Sequence, residues 1–246
     1  RSQLTQPRAQ LPIWHRMERS ARLVVPGLPH QLYLRGNNRR LVFASHADRL
    51  LWIDCIHRAL DITKCRLHQM TLMKSSIHMI ITPMEELGIS DVVKRACERY
   101  AQLRNKRRKS SGRMFEVGFR SRVLVTTQEL GAATLHCDSA AYRLGAATDP
   151  FIDQWSTTAV HSGRPEGRRL RGVWTPSPWY GGLASSGDAR ARAYRRVMAE
   201  YLEGDDAWSI EGAFDVEDAK AYKRRIERPD GIWARERQLQ YASKGK

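Results

Sequence analysis

Residues 65–83 constrain the fold most, because two strand-like runs follow one another with no room between them for anything but a tight turn. In the second run, apolar Ile77, Met79 and Ile81 alternate with Ser76 and His78, so one face is apolar and the other polar. Side chains two apart on a strand point the same way, about 6.5–7 Å apart at their Cα atoms. A His-apolar-His strand in this place would hold one divalent metal between two imidazoles, but here only His78 is present. This strand is expected to carry the site; the plainer reading is a middle strand with one packed or exposed histidine.

The flanking sequence supplies the other layers. Residues 30–35 read as an opening strand. Ser45 can cap a helix over residues 45–62, whose stripe is Trp52, Ile53, Ile56, Ala59 and Leu60. A second helix over 89–109 turns Ile89, Val92, Val93, Ala96, Tyr100 and Leu103 inward, which makes Tyr100 a core residue rather than a nucleophile. Residues 119–125 read as a fourth strand, and Thr127 can cap a third helix running to 144. Strand, helix, strand, strand, helix, strand, with one added helix, is the split β-α-β pattern. The expected class is therefore α+β, a ferredoxin-like four-stranded antiparallel sheet packed by helices. A C-terminal extension follows: a Pro-, Gly-, Ser- and Arg-rich loop over 149–187, a helix capped by Asp188 running to 202, and a charged end with a further helix over 216–228. Residues 1–16 read as a mobile arm, with the native start expected at Met17.

Charge narrows the partners. With 42 Lys and Arg against 26 Asp and Glu, the chain carries +16, a footprint for a polyanion, foremost nucleic acid. An anionic membrane surface needs a basic helix with bulky apolar residues opposite, and none stands out; nor does any apolar run approach the roughly 20 residues of a membrane span. The location expected is the cytoplasm, associated with the nucleoid. Cys55, Cys65, Cys97 and Cys137 have neither zinc-knuckle nor disulfide-framework spacing and are expected reduced and buried. Arg104-Asn105-Lys106-Arg107-Arg108-Lys109 places five basic residues in six positions at the end of the second helix. Such a run is often only a solvated face; on a chain this basic, phosphate contact is expected.

Several pieces together carry a resemblance: Ser20-Ala21-Arg22-Leu23-Val24-Val25-Pro26-Gly27-Leu28-Pro29-His30, then Arg35-Gly36-Asn37-Asn38-Arg39-Arg40, the hairpin 65–83, Arg99-Tyr100 with Asn105, Phe115-Glu116, Phe119-Arg120-Ser121, Arg143 with Gly145, and Asp149-Pro150 leading to Trp155-Ser156. In order and spacing, over roughly residues 17–160, they resemble the REP-associated tyrosine transposases of the single-tyrosine HUH class. The resemblance implies a DNA-binding domain over 17–160, followed by a basic loop and helical extension over 161–246. In active members of that family a strand-borne histidine pair and a helix amide hold Mg²⁺ or Mn²⁺ on the scissile phosphate of single-stranded DNA, and a tyrosine attacks that phosphate. Those positions fall here on Ser76 (first histidine), His78 (second histidine), His136 (tyrosine) and Ala140 (amide). Three of the four have changed, and Val117-Gly118 replaces the polar or basic residue favoured after Glu116. Tyr142 lies on a different helical face from His136, and His78 with His136 would be at most an unusual two-histidine metal site.

The expectation is therefore a catalytically inactive transposase-like protein, a monomer or homodimer, that binds single-stranded or hairpin DNA of the repetitive extragenic palindrome type with no tightly held metal. The alternative is an active metal-dependent single-strand transposase or endonuclease that forms a covalent intermediate. By analogy Arg35, Asn37, Asn38, Arg39 and Arg40 would meet the DNA flank, and Arg104, Lys106, Arg107 and Arg108 the backbone phosphates.

Overall fold

In the computed structural model the alternation at 65–83 folds into a β-hairpin of β2 (Arg66–Leu72) and β3 (Ser76–Thr82). With β1 (His30–Arg35) and β4 (Arg120–Val123) these strands form one sheet in the order β2-β3-β1-β4, every neighbour antiparallel. This is the expected α+β architecture, with β4 shorter at both ends than read from the sequence. The structure describes residues 23–204; the N-terminal arm and the helix expected at 216–228 lie outside them.

Period-two alternation assigns the two faces. Leu32, Leu34, Met70, Leu72, Ile77, Met79 and Ile81 pack against Trp52, Ile56, Val92, Ala96 and Tyr100 of α1 (His46–Thr63) and α2 (Gly88–Arg108). Fully burying each large apolar side chain contributes roughly 1.5–3 kcal/mol. Tyr100 is a core residue: it is fully buried, its hydroxyl donates to Val42 O at 2.6 Å, and its ring meets Phe43 and Trp52 edge-on. Burial pushes its phenol well above the ordinary range, so it is no ready nucleophile.

Helix starts follow the capping chemistry. Ser45 caps α1 in a reciprocal box with Asp48. α3 (Thr127–Asp138) is capped one residue earlier than expected, by Thr126, because only from there does Glu129 fall at the position that closes the box: Thr126 Oγ1 accepts from Glu129 N (3.0 Å) and Glu129 Oε2 from Thr126 N (3.2 Å). The helix expected to run to 144 is interrupted at Ser139, after which α4 (Ala140–Arg143) begins. Ser139 Oγ and Arg143 Nη2 both donate to His136 O, the carbonyl that a continuous helix would reserve for the amide of residue 140.

Residues 149–187 are not the surface loop their composition suggested. They contain α5 (Thr158–His161), α6 (Arg168–Arg171) and α7 (Pro178–Gly182), and they close the free edge of β2. Leu72 N donates to Trp155 O (2.9 Å), Thr157 N to Met70 O (2.9 Å) and Thr175 N to Leu67 O (2.7 Å). An uncovered edge is a template for pairing with another chain, and this segment supplies the cover. α8 (Gly187–Glu203) follows, capped by Ser186 rather than Asp188: Ser186 Oγ accepts from Ala189 N at 3.3 Å, while Asp188 sits in the first turn, where its charge suits the helix dipole. Residues on both sides of position 160 thus pack into the same body. The four cysteines are unpaired, three buried and Cys97 half-buried.

Candidate nucleic-acid interface

The second face of the sheet is polar at its centre. Strand register places Arg120, Tyr33, His78 and Thr71 in one cross-strand row, with Arg35 opposite Ser76 toward the hairpin turn. α3 lies across this face, its Leu130 and Ala133 clustered with Ile80 and Val123. Its C-terminal end is held down by Thr71 Oγ1 donating to Cys137 O (2.9 Å), Gln31 Nε2 to Cys137 Sγ (3.3 Å) and Gln69 Nε2 to Asp138 Oδ1 (3.2 Å). The structure therefore brings His136 to the same side of the sheet as His78 and Ser76.

His78 is 4 % exposed, its ring tilted against Tyr33 at 5.0 Å, and neither ring nitrogen has a hydrogen-bond partner among the described residues. His136 is 2 % exposed and lies 3.1 Å through Nδ1 from the Tyr201 hydroxyl. Arg143 Nη2 stands 3.1 and 3.0 Å from the two His136 ring nitrogens and donates to His136 O at 3.0 Å, while Nε donates to Ser139 Oγ at 3.0 Å. Burial, and then the Arg143 charge, push His78 down to about 4; burial, Arg143 and His78 push His136 down to about 3. Both imidazoles are neutral at pH 7. Ser76 is buried at the start of β3, and Ala140 opens α4 with a methyl group and no ligand atom.

These residues do not fit a bound Mg²⁺ or Mn²⁺. Hard divalent cations take carboxylate, carbonyl and water oxygens, whereas Ser76, His78 and Ala140 offer one hydroxyl, one imidazole and a methyl, with a guanidinium against His136. Among the described residues no three His, Cys, Asp or Glu side chains gather into a metal-holding group.

The segment 35–40 stands at the Ser76 end of the sheet. Gly36 N donates to Ser75 O (2.8 Å), which ties this loop to the hairpin turn, and Asn37 N to Met114 O (2.9 Å) beyond α2. A Cβ at Gly36 would lie 2.2 Å from Arg40 O, so only glycine closes the turn; Asn38 and Arg39 both take left-handed φ, +52° and +57°. Asn38, Arg39 and Arg40 are exposed and Asn37 is half-buried, while Arg35 lies 3.8 Å from Glu116.

Arg104, Arg107 and Arg108, read from the sequence as phosphate contacts, converge on one carboxylate, Asp48, whose side chain is fully buried. Arg108 Nη2 donates to Oδ2 at 2.8 Å, Arg107 Nη2 donates to Oδ1, and Arg104 Nε lies 3.9 Å from Oδ1. Burial alone would raise the Asp48 pKa, but the Ala44 amide, Ser45, Arg108 and Arg107 outweigh it and hold the carboxyl below its ordinary value. Arg107, Arg108 and Lys106 remain exposed, so three arginines on one carboxylate still present a basic surface.

Sequence reasoning missed Asp138. This carboxylate is 1 % exposed and accepts at Oδ1 from Gln69 Nε2 (3.2 Å), Ser156 Oγ (3.3 Å) and Thr157 Oγ1 (2.8 Å), and at Oδ2 from His161 Nδ1 (2.7 Å) and the Tyr194 hydroxyl (2.7 Å). Trp174 Nε1 donates to the other His161 nitrogen at 3.2 Å and to His68 O at 2.9 Å. The His161 ring lies among Trp174, Tyr180 and Tyr194, at centroid distances of 5.4, 4.9 and 5.1 Å. One buried acid thus joins β2, α3, α5 and α8 just beyond His136. The available signal was an acid directly after inward-facing Cys137, four residues past a buried threonine.

No protein-family model and no curated protein matches the chain. Among solved structures it is similar to a REP-associated tyrosine transposase bound to a REP hairpin, with a TM-score of 0.52 at 11 % sequence identity, covering 65 % of this chain and 93 % of that one. The likeness is one of fold. No helix among the described residues is long and apolar enough to cross a membrane.

Proposed function

We propose that the protein is a transposase-like DNA-binding protein that takes single-stranded or hairpin DNA of the repetitive extragenic palindrome type and does not cut it. The observation that carries this reading is the convergence of Ser76, His78 and His136 on the second face of a sheet whose fold is shared with a hairpin-bound transposase. On this reading the sheet face of the family's site is kept while its chemistry is altered. A serine and a methyl replace two metal ligands, and a buried neutral imidazole stands where a tyrosine would attack. The net charge of +16 and the exposed Asn38, Arg39, Arg40 and Lys106 fit a phosphate backbone and its flank. Arg35, Asn37, Arg104, Arg107 and Arg108 complete that surface; any bound metal would be weak.

Phosphodiester cleavage with covalent capture requires a nucleophile and stabilisation of charge developing on the phosphate. Losing one such electrostatic donor typically costs 10²–10³ in rate. The competing reading, an active enzyme, draws on Tyr142, which is 40 % exposed on α4. The two are separated by incubating the protein with a labelled hairpin carrying a single-stranded flank in Mg²⁺ or Mn²⁺, beside the triple variant Ser76→His, His136→Tyr, Ala140→Asn, and looking for adducts on a denaturing gel. No adduct is expected from the unchanged chain. An adduct that disappears with Tyr142→Phe would overturn the inactive reading.

A further inference from the structure

The polar face that carries His78 and His136 has a cation of its own. We propose that Arg143, with His78 beside it, binds one phosphodiester of the nucleic acid directly and without a divalent ion. This inference rests on the DNA-binding reading above and assigns the contact at its centre.

Three observations carry it. The guanidinium is fixed along one edge: Nε donates to Ser139 Oγ and Nη2 to His136 O, at the C-terminal end of α3, where carbonyl oxygens favour positive charge. Its remaining nitrogen, Nη1, has no partner among the described residues, and the residue is exposed, so two N–H donors are left open on an immobilised group. A pre-ordered guanidinium loses less freedom on binding and matches the acceptor-only geometry of a phosphate. Finally, His78 is almost wholly buried with both ring nitrogens unpartnered, within the field of Arg143. A neutral imidazole has one N–H to give a phosphate oxygen. The pair thus provides one charge and one neutral donor, the kind of electrostatic neutralisation a metal would otherwise bring. The break at Ser139 follows from the same contacts, since the guanidinium and the serine hydroxyl take the carbonyl that would have continued the helix.

The test is fluorescence anisotropy of a labelled hairpin with a single-stranded flank, in EDTA and in Mg²⁺, for the unchanged protein, Arg143→Gln, Arg143→Lys and, as a control for net charge, Arg192→Gln on the exposed face of α8. Folding of each variant is checked by circular dichroism. In parallel, the ring proton signals of His78 and His136 are followed by NMR as inorganic phosphate is added to the unchanged protein. Affinity should be equal in EDTA and Mg²⁺. Arg143→Gln should weaken binding at least about tenfold, as for a charge-assisted hydrogen bond, and lower the salt slope by about 0.7–0.9; Arg143→Lys should keep the slope, and Arg192→Gln should change little. Phosphate should shift the His78 signal. If Arg143→Gln binds DNA like Arg192→Gln, or if EDTA abolishes binding, this inference falls while the DNA-binding reading stands. If the unchanged protein binds no DNA, that reading fails, and the phosphate titration alone decides: a shifted His78 signal keeps Arg143 and His78 as a site for free phosphate groups, and an unmoved one removes it.

Discussion

Replacing Asp138 by Asn should cost far more stability than the change of one atom suggests. The carboxylate is an acceptor for five donors. An amide keeps one acceptor atom and introduces an NH₂. If its oxygen serves Gln69, Ser156 and Thr157, its nitrogen faces His161 Nδ1–H and the Tyr194 hydroxyl. Tyr194 can turn its proton toward Thr158 Oγ1, 3.3 Å away. His161 has no such escape: shifting its proton to the other nitrogen sets that N–H against Trp174 Nε1–H, 3.2 Å away. One donor–donor clash therefore persists in either tautomer. Hydrogen bonds to a charged acceptor contribute about 1.5–3 kcal/mol, and an unsatisfied buried donor costs about 1–3 kcal/mol. Allowing for non-additivity, Asp138→Asn should destabilise by about 3 kcal/mol and Asp138→Ala by about 4 kcal/mol, within the range for breaking a buried charged pair. The assay is urea unfolding followed by tryptophan fluorescence. Hydrogen exchange should show the amides of Thr157 and Thr175, which close the β2 edge, losing protection before those of β3. A loss below about 1 kcal/mol for Asp138→Asn would refute this network as the fastening of the segment.

Acid should unfold the protein early. Burial leads the lowering of His30, His68 and His78 to about 4 and of His136 to about 3, from 6.5. The unfolded chain therefore takes up protons below pH 6.5 that the folded chain refuses until near pH 4. Stability is full above pH 6.5 and falls through that window, by about 1.4 kcal/mol per histidine at pH 5.5; equal urea midpoints at pH 7.5 and 5.5 would contradict it. Asp48→Ala should cost about 3 kcal/mol, because it removes the box that starts α1 and leaves three arginines facing one another, and added salt should recover part of the loss; a change under 0.5 kcal/mol would show that the arginines do not depend on it.

Where local patterns decide the outcome, the sequence was a good guide. Alternation in β3 placed Ile77, Met79 and Ile81 on the helix-covered face and Ser76 and His78 on the other, and helical spacing put Tyr100 in the core. The errors arose where a long-range partner overrides local signals. Asp188 looked like a cap, but the Ser186 hydroxyl reaches the helix amides. Residues 149–187 read as loop because their order comes from pairing with β2 and from Asp138, neither of which has a local period. The carboxylate that the α2 arginines share stayed hidden because Asp48 lies about sixty residues away in the chain, although its place as the third residue of a capped helix was legible. Asp138 and Arg143 gain their meaning only when the C-terminal end of α3 meets β2 and β3.

The most direct measurement is the affinity of the protein for a palindromic hairpin with a single-stranded flank against a plain duplex of the same length, each titrated from low to physiological salt. Preference for the flanked hairpin is expected, with a slope of log affinity against log salt of about −3 to −4, as for four or five neutralised phosphates. A flat salt response, or equal affinity for the duplex, would contradict the account.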